Sequence, residues 1–144
     1  MCQYQYNNGG RAAAGYKGKT GDCVTRAIAI ATGKPYKEVY DALNGLAVNE
    51  RTGKRKRGKS SSRKGVYRYA FDKYLFSLWW QWHPTMAIGQ GCKVHLKSDE
   101  LPQGNLIVNV SRHLVAVING VINDTHDPSR DGTRCVYGYW TAPE

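Results

Sequence analysis

An α+β fold is what this chain predicts, on three observations. Apolar residues in its first half recur at helical spacing. From Trp79 onward the chain breaks into short extended runs rich in β-branched residues. Between two of those runs stands Asn119-Gly120, the strongest short-range hairpin signal. Helices first and antiparallel strands second is the order of an α+β domain. With 144 residues, 41% of them hydrophobic, the chain is long enough for one domain with its own core.

Taken in order, residues 1–20 are rich in Gly, Asn and Tyr and read as irregular. Asp22 is a good N-cap for a helix from Cys23 to Thr32, which Gly33 closes. Pro35 suits the first turn of a second helix, whose apolar stripe is Tyr36, Val39, Tyr40 and Leu43. The segment 50–65, with Gly53, Gly58 and Ser60 to Ser62, reads as a mobile loop. A third helix is expected over 66–77. Extended runs follow at 79–83, 93–96, 105–110, 113–118, 121–124 and 135–140. Trp79, Trp80 and Trp82 are expected to fill the seam between helices and sheet, with Trp79 facing away from Trp80.

The formal net charge of +10 is concentrated in one place. Arg51 to Lys64 holds eight Lys and Arg and no acid, leaving thirteen positive residues against the eleven acids elsewhere. The body is therefore near neutral, and the basicity belongs to one loop. That loop, with Arg55, Lys56 and Arg57 at its centre, is suited to phosphate contact or to attracting an acidic protein. It holds no aromatic for base stacking, so nucleic acid is a secondary expectation beside a protein or peptide partner. No stretch approaches the length of a membrane span, and a cytoplasmic protein is expected. The four cysteines, Cys2, Cys23, Cys92 and Cys135, are scattered and on that view stay reduced. Cys92-x-x-His95 and His126 with Cys135 are zinc-ligand types, but the first pair also suits a strand edge and the spacing of the second is loose, so neither metal nor cofactor is expected.

The chemistry centres on Cys23. A thiol at a helix start meets a dipole and free N–H groups that favour the thiolate. His113 opens an apolar run some ninety residues later and is the candidate base. If Asn119-Gly120 is a two-residue turn, Ile118 faces Val121, Val117 faces Ile122, Val115 faces Asp124 and His113 faces His126. Cross-strand pairs share a face, so Asp124 lies diagonal to His113 and can orient its ring. Asp127 has the opposite parity and is the alternative acid.

Gly21-Asp22-Cys23 leading into the small-residue helix, and the His113 strand followed by an Asp a hairpin later, resemble papain-like cysteine peptidases. The likeness is greatest to the small peptidase domains of bacteriocin exporters, where Asp-Cys opens a helix and Asp-Pro follows the histidine strand. It implies a papain-like fold and hydrolysis through a Cys23–His113–Asp124 triad without a metal. Gly9-Gly10-Arg11, Ala14-Gly15-Tyr16, Asp124-Thr125-His126-Asp127 and Val136 to Trp140 also resemble a group of uncharacterised bacteriophage and bacterial proteins. That likeness covers nearly the whole chain, carries no established activity, and would place the protein in the host cytoplasm. Six residues before the nucleophile, where papain-like enzymes usually carry an oxyanion-binding Gln, this chain has Lys17. The Cys23 backbone N–H can serve as one donor, with Lys17 or Thr20 as candidates for the second. A missing donor costs about 3 kcal/mol of transition-state stabilisation, which keeps an inactive binding protein as the alternative. Other acyl-transfer chemistry on the same fold, transglutaminase-like or cell-wall amidase, is the third expectation.

Overall fold

In the computed structural model, the residues described are 3–13, 15, 22–47, 68–86, 91–130 and 132–143. The basic segment with Arg55, Lys56 and Arg57, the oxyanion candidates Lys17 and Thr20, and Cys2 lie outside them.

Among the described residues three helices, α1 (Cys23–Thr32), α2 (Tyr36–Ala47) and α3 (Arg68–Ser77), precede most of the sheet. Six strands among them form one sheet: β1 (Gln3–Tyr6), β2 (Gln81–Pro84), β3 (Asn105–Val110), β4 (His113–Ile118), β5 (Val121–Asp124) and β6 (Val136–Thr141). Their order is β1-β5-β4-β3-β6-β2, antiparallel throughout except that β1 runs parallel to β5. The architecture is α+β, as expected. None of the described helices is long and apolar enough to cross a membrane.

Local chemistry explains most boundaries. Gly33 ends α1 at φ 75°, where its N–H bonds to the Ala29 carbonyl. The Pro35 carbonyl accepts the first bond of α2, from Val39. Asn119 and Gly120 both take positive φ, 49° and 81°, the pair of values a type I′ hairpin turn requires. The register across that turn pairs Ile118 with Val121 and Val117 with Ile122.

The sheet carries apolar groups on both faces. On one, α1 packs across β4, β3 and β5, and Ile28, Val39, Leu43, Leu75, Ile107, Ala116 and Trp140 are fully buried together. Each such large side chain contributes roughly 1.5–3 kcal/mol on leaving water. On the other face Leu106, Val108, Val115, Val117 and Ile122 are closed over by Leu96 and Leu101. Trp80 and Trp82 lie in the helix–sheet seam, whereas Trp79 is 81% exposed.

Four expectations are corrected. Residues 3–6 are a strand: the backbone of β1 pairs with β5 across more than a hundred residues, which no local pattern announces. The run 93–96 contributes one bridge, His95 to Cys135, and no strand, because the chain turns at Ser98–Glu100. Asp22 accepts the Arg26 N–H through its carbonyl, but its side chain makes no cap bond and is drawn into an ion pair. Cys92 and Cys135 are joined as a disulfide with Cα atoms 5.8 Å apart. The His95–Cys135 bridge brings the two segments side by side, a proximity that a separation of 43 residues conceals.

Candidate active site

Cys23 is the first residue of α1, His113 the first of β4 and Asp124 the last of β5. Two strand ends and one helix start thus meet at one end of the sheet. His113 Nε2 lies 2.6 Å from Asp124 Oδ2, with the His113 side chain only 10% exposed. The Cys23 thiol interacts with the same ring, and Nδ1 is the ring nitrogen that Asp124 does not engage. Asp124 is further fixed through Oδ1, which accepts the Thr125 N–H at 2.7 Å and Arg26 Nη2 at 3.1 Å. Its backbone carbonyl accepts the Tyr4 hydroxyl and the Asn7 N–H, so β1 braces the strand end that carries the acid.

The electrostatics follow from these contacts. Burial pushes the Cys23 thiol up, but the hydrogen bond to His113, the His113 charge, a Leu114 backbone group and the Arg26 charge outweigh it. The thiol is left below its ordinary value. Burial pulls His113 down, while hydrogen bonds and charges from Asp124 and Cys23 push it up to about 9. Burial raises Asp124, and His113, the Thr125 N–H and Arg26 together hold it below the usual carboxylate range. All three directions favour a thiolate beside an imidazolium beside a carboxylate.

Behind Asp124 stands a group that the sequence reading passed over. Arg26 is buried, bonded on one side to Asp124 and on the other to Asp22 Oδ1. Asp22 Oδ2 in turn accepts the Tyr36 hydroxyl at 2.6 Å and lies 3.5 Å from Arg11 Nε. Burial works against the Arg26 charge, and the two carboxylates more than restore it. A signal was available. Arg26 is the sole charged residue of α1, a helix otherwise apolar or small and buried from Val24 to Ala29. A charge in such a helix must be paired.

Asp127 does not reach the ring. It is exposed, and its Oδ1 accepts the Ser129 N–H at 2.9 Å. His126 lies against His113 with ring centroids 5.2 Å apart. His113, Asp124 and His126 bring ligand-type atoms within 4.8 Å of one another. The Arg26 guanidinium on Asp124 Oδ1 opposes a cation there, and both Asp124 oxygens already accept hydrogen bonds. The zinc set weighed from the sequence is dissolved by the disulfide, which removes both thiolates. Among the described residues Cys23 is the free cysteine.

Comparison with family models, with characterised proteins and with solved structures returns no match to this chain.

Proposed function

We propose that this chain is a papain-like cysteine hydrolase, a peptidase or isopeptidase, working through Cys23, His113 and Asp124. One observation carries the reading: the hydrogen-bonded series from the Cys23 thiol through His113 to a buried carboxylate, with the thiol at the first position of a helix. A structural cysteine needs none of this. Neither does a structural histidine need a buried acid on one ring nitrogen and a thiol acting on the same ring.

The Cys23 thiolate adds to the carbonyl carbon of a peptide or isopeptide bond. The Cys23 backbone N–H donates to the developing oxyanion, aided by the dipole of α1. As the intermediate collapses, the C–N bond breaks and the His113 Nδ1 proton passes to the departing amine, leaving a thioester. Neutral His113 then takes a proton from water as the water oxygen attacks the acyl carbon. Collapse releases the carboxylic acid and restores the thiolate and imidazolium. Asp124 holds the ring orientation and stabilises its charge throughout.

The test is limited labelling with iodoacetamide or a peptide vinyl sulfone at pH 6, followed by mass mapping. Cys23 is expected to react first and far faster than an unfolded thiol. Preferential labelling of Cys2, with Cys23 reacting as an ordinary thiol, would sink the proposal.

A further inference from the structure

We propose that Arg26 is a positioning residue of this site: its guanidinium, clamped between Asp22 and Asp124, orients the acid toward His113 and cancels the anion that precedes the nucleophile. The inference rests on the hydrolase reading above and extends it by one layer.

The problem it solves is set by the sequence. Asp22 is adjacent to Cys23 and is 1% exposed. A buried, uncompensated carboxylate there would repel the thiolate on which nucleophilic attack depends. Arg26 lies one helical turn further on, on the same face of α1 as Asp22, and bonds Oδ1 of that carboxylate. Its second nitrogen reaches Oδ1 of Asp124 at 3.1 Å, leaving Oδ2 to His113. The planar fork of an arginine can hold two carboxylates at once in fixed geometry, which a lysine ammonium does not. Charges then alternate from group to group: Cys23 thiolate, His113 imidazolium, Asp124, Arg26, Asp22, with Arg11 on the outer oxygen of Asp22. The backbone is built around this contact as well. A Cβ on Gly9, at φ +71°, would stand 3.2 Å from the Arg26 carbonyl, so the N-terminal turn closes tightly over α1 at the arginine. Facing the thiol are His113 and the Leu114 backbone from β4 and Arg26 from its own helix. Asp22 precedes it, Asp124 acts through His113, Arg11 and Tyr36 act through Asp22, and His126 packs on the His113 ring.

A residue that merely stabilised the fold would move stability and leave the thiol's titration alone. A positioning residue moves the titration, and in opposite directions for the two partners of the clamp. The experiment measures the rate of Cys23 carboxamidomethylation against pH in the full-length wild type, Arg26→Gln, Arg26→Lys and Asp22→Asn. Arg26→Gln is expected to raise the midpoint of thiolate reactivity by about one pH unit, a roughly tenfold slower reaction below both midpoints. Asp22→Asn is expected to lower it, since it removes one of the two anions that hold the Arg26 charge. Arg26→Lys is expected between wild type and Arg26→Gln, keeping the charge but holding one carboxylate at a time. Midpoints unchanged in all variants, or shifted upward in both Arg26→Gln and Asp22→Asn, overturn the proposal. If Arg26→Gln does not fold, Asp22→Asn decides alone: a lower midpoint supports the clamp, an unchanged or higher one refutes it. A wild-type midpoint at the ordinary thiol value would instead remove the hydrolase reading beneath it, so the two failures are told apart.

Discussion

Two regions of this molecule use cysteine in opposite ways. At the start of α1 a single half-buried thiol is surrounded by ionisable groups, with His113 and Asp124 drawn in from β4 and β5. At the start of β6, Cys135 is joined to Cys92 beside the His95 bridge, and the bond ties a long excursion of chain to the sheet. Both meetings are long-range in sequence, and spacing alone distinguishes neither. The difference lies in what surrounds the sulfur. Cys23 has an imidazole, a helix terminus and a cation to stabilise an anion. Cys92 is exposed, and its sulfur lies 3.4 Å from the Val94 carbonyl oxygen, a neighbour that offers an anion nothing. One environment favours charge on sulfur, and the other a covalent link.

The largest test removes the environment and keeps the thiol. In His113→Ala, Cys23 loses its hydrogen bond and its neighbouring positive charge. Alkylation at pH 6 should fall by about a hundredfold or more, and Cys23→Ala should abolish hydrolysis altogether. If His113→Ala labels Cys23 as fast as the wild type, the first region does not differ from an ordinary buried thiol.

Next in size is the acid, read through pH. His113 is raised from 6.5 to about 9, so by itself it stabilises the fold fully below about pH 6.5, and that contribution fades as pH rises through about 9. Cys23 is lowered from 9.0 and acts with the opposite sign: its contribution is complete above 9 and is lost as pH falls through its folded value. As pH rises between about 6.5 and 9 the two contributions run in opposite directions and offset one another. The wild-type melting temperature should therefore change less across that interval than that of Cys23→Ser, which keeps only the histidine and should fall as pH rises. Asp124 is lowered from 3.8, so its contribution is present above that value and is lost as pH falls through its folded value. Asp124→Asn should lower His113 and slow alkylation at pH 6 by about tenfold. A Cys23→Ser profile parallel to the wild type would mean that the thiol and imidazole do not share a proton.

Much of this site was legible because its elements announce themselves locally. Gly33 and the small-residue run define α1, whose Cys23–Thr32 bounds agree with the structure. Asn119-Gly120 sets the hairpin, and counting back from it places Asp124 on the parity of His113. What stayed hidden depends on distant partners. Gln3-Tyr4-Gln5-Tyr6 alternates like any polar stretch, and only β5 makes it a strand. Asp22 looks like a cap because Asp usually is one before a helix; Arg26 and Tyr36 claim its carboxylate instead. The Cys92–Cys135 bond depends on residues 94–96 lying antiparallel beside 134–136, where the Leu96 N–H bonds to the Arg134 carbonyl and the Val136 N–H to the Val94 carbonyl.

The second region should respond to treatment that leaves the first unmoved. Reduction, or the variant Cys135→Ser, should cost roughly 2–4 kcal/mol of stability, because the bond closes a loop of moderate length. Cys23 labelling at pH 6 should be unchanged at temperatures where the reduced protein stays folded. A melting temperature indifferent to dithiothreitol would show that the link does not constrain the fold. A change in Cys23 reactivity would show that the two regions are coupled.

The smallest expected effect belongs to Asp127, and its smallness is what makes it informative. Asp127 and Asp124 are the same residue type, three positions apart, next to the same histidine pair. Composition does not separate them; hairpin parity does, by carrying Asp124 to the His113 side and Asp127 away from it. Asp127 is exposed and accepts the Ser129 N–H, an Asx turn that asparagine forms equally well. The same loop is held by Arg134, whose guanidinium donates to the carbonyls of Pro128 and Ser111, so it does not depend on the carboxylate. Asp127→Asn should therefore leave Cys23 alkylation within about twofold of wild type, and stability within about 0.5 kcal/mol, the usual range for surface changes. Asp124→Asn, measured beside it, removes the anion that His113 faces at 2.6 Å. If the two variants slow labelling equally, the acid acts through the general field at this end of the sheet. If Asp127→Asn is the slower, the register of the β4–β5 hairpin in solution is shifted and the acid is misassigned.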